Sequence, residues 1–155
     1  MRLGIALACA SVLAAAAAPA RAEPQFPESK LVGPLLGIAW GNGHAAHPTL
    51  GVEGGIGLDE VIILNAGSTW RGGELFSYLE LDGWFFLGAT AGYGHGTRDG
   101  WQAVVGVWEP LPPKVLEGGC DDARVVAFSV GYRYTGLHEL YFTAKYGDAW
   151  EPCWD

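Results

Sequence analysis

The chain lacks clustered metal ligands, excess positive charge and, beyond its first 22 residues, any long apolar run. Each absence removes a class of function. Its three cysteines, Cys9, Cys120 and Cys153, are far apart, so no CxxC redox pair or zinc knuckle can be read from them. Lys and Arg number nine against 17 Asp and Glu, which is the wrong sign for a nucleic-acid backbone. Without a later apolar run, no helix is predicted to span a membrane after the leader. Glycine-rich stretches such as Gly41-Asn42-Gly43 and Gly92 to Gly96 precede no helical pattern, so no phosphate cradle is implied.

No enzyme constellation emerges, and no catalytic residue or cofactor is assigned. Ser29, Ser68, Ser77 and Ser129 have no neighbouring histidine, and the His-x-Ser pair of lipid A deacylase barrels is missing. Glu74 and Glu80, six residues apart on one strand, would stand about 20 Å from each other at ~3.4 Å per residue, too far for paired glycosidase carboxylates. An envelope-lipid-modifying enzyme is therefore the third choice of function.

The first 22 residues have the form of a secretory signal: Arg2, an apolar core from Ile5 to Ala18, and Ala20-Arg21-Ala22 for cleavage. Cleavage would remove Cys9 and two arginines, leaving seven basic against 17 acidic residues and a net charge of −10. Export to an oxidising compartment then allows Cys120 and Cys153 to pair.

Residues 23–30 read as an irregular lead-in, and 31–155 as one domain. Glycine is abundant, at 24 residues, and is joined by seven Trp and six Tyr. Period-two alternation dominates this domain. It is clearest from Arg124 to Gly147. Val126, Phe128, Val130, Tyr132 and Tyr134 share one parity and Val125, Ala127, Ser129, Gly131 and Arg133 the other, with a turn at Thr135 to Leu137. After the turn Leu140, Phe142, Ala144 and Tyr146 oppose Glu139, Tyr141, Thr143 and Lys145. Folding this hairpin brings Cys120 towards Cys153, predicting a disulfide at its base.

The other predicted strands are Leu31 to Gly41, Thr49 to Leu58, Val61 to Gly67, Glu74 to Leu81, Trp84 to Tyr93 and Trp101 to Glu109. Asp82-Gly83 has the composition of a two-residue hairpin turn. Pro110 to Asp122 breaks the alternation and is predicted as a long connection. Eight strands joined in sequence predict an all-β, eight-stranded antiparallel up-and-down barrel.

Large apolar residues on one parity and small residues with a few charges on the other suit a barrel whose bulky face meets lipid. Glu53, Glu74, Glu80, Arg133 and Lys145 fall on the inward parity, predicting a lumenal charge network. Trp40, Tyr93, Tyr132 and Tyr134 are expected in one interfacial belt, and Trp84, Trp108, Tyr146 and Trp150 in another. His44, His47, His95 and His138 gather at one barrel end, the arrangement of a candidate metal site.

On these features residues 31–154 resemble the small eight-stranded outer-membrane barrels of Gram-negative bacteria, the OmpA-like and opacity-type group. The resemblance is architectural, and two features depart from it: the long connection at Pro110 to Asp122 and the Trp154-Asp155 ending. It implies a monomer surrounded by membrane lipid, with a structural or surface-interaction role and no enzymatic activity. The alternative is a soluble periplasmic, lipocalin-like barrel holding a small apolar ligand.

Overall fold

The computed structural model describes residues 29–41, 43–59, 61–84, 87–118 and 123–149, the side chains of His44 and Asp59 excepted. Eight strands follow one another as β1 (Ser29–Gly41), β2 (His44–Asp59), β3 (Ile62–Arg71), β4 (Glu74–Trp84), β5 (Gly88–Gly96), β6 (Gly100–Gly118), β7 (Ala123–Tyr134) and β8 (His138–Ala149). Each pairs antiparallel with the next, and β8 returns to β1, closing an up-and-down barrel.

The register sets the barrel's width. Stepping between paired residues from Lys30 leads through Ile56, Leu64, Leu81, Ala91, Val105, Tyr134 and His138, then back to β1 at Trp40. The circuit closes ten residues further along the same strand. Eight strands with that stagger tilt about 40° from the axis, given ~3.3 Å rise and ~4.8 Å strand spacing. The shortest strand, β5, has nine residues, within the ~9–11 needed to cross hydrocarbon at such a tilt.

Alternation places the two faces as the pattern predicts. Leu36, Ile38, Leu50, Val52, Leu79 and Leu140 point outward and are exposed, whereas Glu53, Glu80, Arg133 and Glu139 are buried inside. The interior also holds three apolar clusters, Ala123 with Val125 and Ala149, Leu35 with Trp108 and Tyr141, and Phe76 with Tyr78 and Val104. Glycines make room for these large side chains. A Cβ on Gly67 or Gly131 would lie 2.5 Å from the hydroxyl of Tyr78 or Tyr141 respectively.

Three expectations are corrected. Asp82-Gly83 is not the turn: β4 continues to Trp84, whose backbone N–H donates to Val61 O at 2.9 Å. Asp82 is drawn inward because its carboxylate accepts hydrogen bonds from Asn65 and Thr90, and these outweigh the local turn preference.

The long connection is largely strand. β6 runs to Gly118 and stays paired with β7 through Leu111↔Phe128 and Lys114↔Val126, with register shifts absorbing Pro112 and Pro113. Its other edge loses its partner after Trp108↔Gly88, where a proline forfeits no ladder bond. Only 119–122 remain between the two strands, and β7 stays paired with β8 throughout, so the departure from the small outer-membrane barrels shrinks to an extended β6.

The second aromatic belt is also revised. Trp108 belongs to the inward parity and is buried against Leu35 and Tyr141, with Trp84 packed against the same cluster. Tyr146 does face outward; Trp150 lies outside the described residues. At the opposite end Trp40, Trp70, Tyr93, Trp101 and Tyr134 form a fuller collar, near the connections 72–73, 97–99 and 135–137. The 72–73 link is a two-residue turn in which Gly72 and Gly73 both take positive φ, 55° and 83°, as tight hairpins require.

Candidate functional site: the charged lumen

Arg133 occupies the centre of the barrel. Its place near the end of β7 puts it directly opposite Glu139 across the short β7–β8 connection, and its Nε donates to Glu139 Oε2 at 2.6 Å. Nη1 lies 3.5 Å from Glu80 Oε2 and 3.8 Å from Glu53 Oε2. The guanidinium also sits over the Tyr78 ring at 4.1 Å and near the Tyr141 ring at 5.0 Å. One cation thus serves three carboxylates and two aromatic faces. A planar, delocalised guanidinium can make these contacts together; an ammonium cannot.

Glu53 connects this centre to Lys145. Its carboxylate accepts from Tyr78 Oη at 2.5 Å and pairs with Lys145 Nζ. Lys145 also donates to Asn65 Oδ1 at 2.8 Å, and Asn65 Nδ2 donates to Asp82 Oδ2 at 2.6 Å. A contact chain therefore runs from Glu139 through Arg133, Glu53, Lys145 and Asn65 to Asp82 and Thr90.

Glu74 belongs to a separate group, closer to the 72–73, 97–99 and 135–137 connections. Its Oε1 accepts from the backbone N–H groups of Arg98 and Asp99, both at 3.2 Å, and its Oε2 lies 3.7 Å from Arg71 Nε. Arg71 is itself buried over Phe76, 3.9 Å from the ring, and bonded to Thr135 and Gln102. Of the five network residues expected from parity, Glu53, Glu80, Arg133 and Lys145 meet directly, whereas Glu74 closes the lumen further up with Arg71.

Several participants escaped the sequence reading. Glu139 and Tyr141 share the parity of Lys145, and Asp82 that of Glu80, so alternation alone contained the signal. Arg71 and Asp82 were hidden because their segments read as a loop and a turn. Together the interior acids Glu53, Glu74, Glu80, Asp82 and Glu139 outnumber the bases Arg71, Arg133 and Lys145.

These side chains fill the lumen. Among the described residues a cavity of about 50 Å³ lies towards the Ser29 end, bordered by Asn65, Asp82, Ser129, Thr143 and Lys145. Such a volume suits a few waters in a polar site.

The three histidines with described side chains do not converge. His47 lies beside Gly72, His95 packs edge-on against Trp101 at 5.2 Å, and His138 accepts or donates a 2.6 Å hydrogen bond with Tyr132 while stacking near Trp40. Among the described residues no group of three or more His, Cys, Asp or Glu could hold a metal ion. Cys120 and Cys153 lie outside the described residues.

No family model and no curated protein matches the chain. Among solved structures, a de novo designed transmembrane β-barrel is similar at 17% identity and a TM-score of 0.52, over 80% of this chain and 98% of the design. The solution NMR structure of the de novo designed TMB2.3 is similar at 15% identity and a TM-score of 0.43, over 77% of this chain and 95% of that one. The first likeness shows the fold, a β-barrel; neither design supplies a function.

Proposed function

We propose that this is an exported outer-membrane barrel with a plugged lumen and a structural or surface-interaction role, acting as neither an open pore nor an enzyme. The observation that carries the reading is the inversion of its faces. Leucine, valine and isoleucine predominate on the outside of β1 to β4, while eight ionisable Asp, Glu, Arg and Lys side chains lie within the barrel. In water that outer surface would be a large exposed apolar patch of the kind that drives association. In hydrocarbon it is the low-energy face, and closure pairs each strand with two neighbours around the ring, the end of β6 beyond Trp108 keeping one free edge.

The outer charges support the same reading. Lys30, Arg124 and Asp148 lie close to strand ends, and Arg98 and Asp99 lie within the 97–99 connection. A lipocalin-like role would require an apolar chamber, whereas the centre here holds Arg133 and its carboxylates, with a residual cavity of about 50 Å³.

Expression of the full chain in a Gram-negative host, followed by membrane fractionation, tests the proposal. The protein should partition with the outer membrane, require detergent for extraction and migrate differently on gels before and after heating. Release by osmotic shock without detergent would sink it.

A further inference from the structure

The outer face is not uniformly bulky. Across β1 to β4 one paired row reads Val32, Gly54, Ala66, Leu79, with the two smallest residues in the middle. They floor a groove of about 390 Å³, walled by Val32, Ile56, Leu64 and Leu79 and bordered at one end by Lys30.

Gly54 differs from the glycines that the interior demands. A Cβ on Gly67 or Gly131 would collide with a tyrosine, but at Gly54 the nearest atoms would be Leu31 O at 3.5 Å and Val32 Cγ2 at 3.9 Å. Those are ordinary contacts, and Gly54 is not among the positive-φ glycines. The protein's own packing and backbone therefore accept a side chain here, and its absence creates a recess on the outside.

The lining selects the occupant. Apart from Lys30 it is apolar, as one hydrocarbon chain requires. Lys30 is exposed next to the start of β1, at the end where Arg124 pairs with Asp148 and Glu117. An ammonium at that level meets the headgroup region, where it favours an anionic phosphate.

We propose that this groove binds an anionic phospholipid of the leaflet at the Ser29 end, with one acyl chain over Gly54 and Ala66 and the phosphate at Lys30. The proposal rests on the membrane-barrel reading.

Native mass spectrometry of the full chain, folded in mild detergent with phosphatidylglycerol or phosphatidylcholine of matched chains, tests it. One lipid per protein should be retained, with phosphatidylglycerol preferred about fivefold, the value of ~1 kcal/mol from one lysine near the surface. Gly54→Leu, or Ala66→Leu should the first variant not fold, should fill the recess and reduce retention of both lipids at least tenfold. Lys30→Gln should keep one bound lipid but equalise the two headgroups. Unchanged retention in a folded groove-filling variant, or an unchanged preference in Lys30→Gln, overturns the groove. Failure of the parent chain to fold in detergent or bilayers would instead overturn the membrane reading beneath it.

Discussion

Arg133 and Glu139 are directly paired across β7 and β8, joined by a 2.6 Å ion pair with both side chains fully buried. Glu80 and Glu53 approach the same guanidinium at 3.5 and 3.8 Å. The pair is therefore the anchor of a cluster, and its worth lies mainly in what would follow from its loss.

Arg133→Met should destabilise the barrel by about 3–5 kcal/mol, because it strands buried carboxylates without a counter-charge. Arg133→Met combined with Glu139→Met should recover part of that loss, since the second change removes one stranded charge. Urea titrations of the protein folded into lipid vesicles give both values. A single variant as stable as the parent would show that the cluster does not hold the barrel together.

The cluster should also block conduction. An eight-stranded barrel encloses little more than its own side chains, and here Arg133 is stacked between Tyr78 and Tyr141. The unmodified protein should show no large conductance in planar bilayers. Trimming Tyr78, Arg133 and Tyr141 to serine together should raise the frequency and size of channel events. A large, steady conductance from the parent would remove the plug.

Much of this arrangement was legible in the order of residues. Alternation alone assigned Arg133, Lys145, Glu53 and Glu80 to the interior and the leucines of β4 to the outside, because a strand's period of two holds wherever its ladder runs without a register shift. Where the reading failed, local chemistry and long-range pairing disagreed. Asp82-Gly83 has turn composition, yet Asn65 and Thr90 hold Asp82 within the ladder. Pro110, Pro112 and Pro113 look like strand breakers, yet they fall where β6 has one free edge. Trp108 was expected at a lipid interface although its parity pointed inward, and Gly88 provides the space it occupies. Which strands end early, and which glycine lies beneath which aromatic, depends on register, which no single strand encodes.

That register yields a steric prediction. Gly131→Ala would place a methyl group 2.5 Å from Tyr141 Cζ and Oη and should cost about 1–3 kcal/mol, the usual range for overpacking. Gly83→Ala meets only Val61 O at 4.0 Å and should change stability by no more than about 0.5 kcal/mol. Comparing their vesicle-folding midpoints checks both, and equal losses would mean that the interior does not discriminate between these sites. Adding Tyr141→Ala to Gly131→Ala should yield less than the sum of the separate losses, because the two residues share one space.

The hairpin of β7 and β8 supplies the last test. Its described register ends with Ala123 opposite Ala149, three residues after Cys120 and four before Cys153, so an exported chain should join the two thiols. Closing this 33-residue loop should add about 3–4 kcal/mol by restricting the unfolded chain. Protein isolated without reductant should resist thiol alkylation when denatured and become doubly labelled after reduction. Cys120→Ser should expose one reactive thiol and lower the urea midpoint to that of the reduced parent. Full labelling of the unreduced parent would show that the hairpin's base stays open, leaving the β8–β1 seam held by its backbone ladder and side-chain packing.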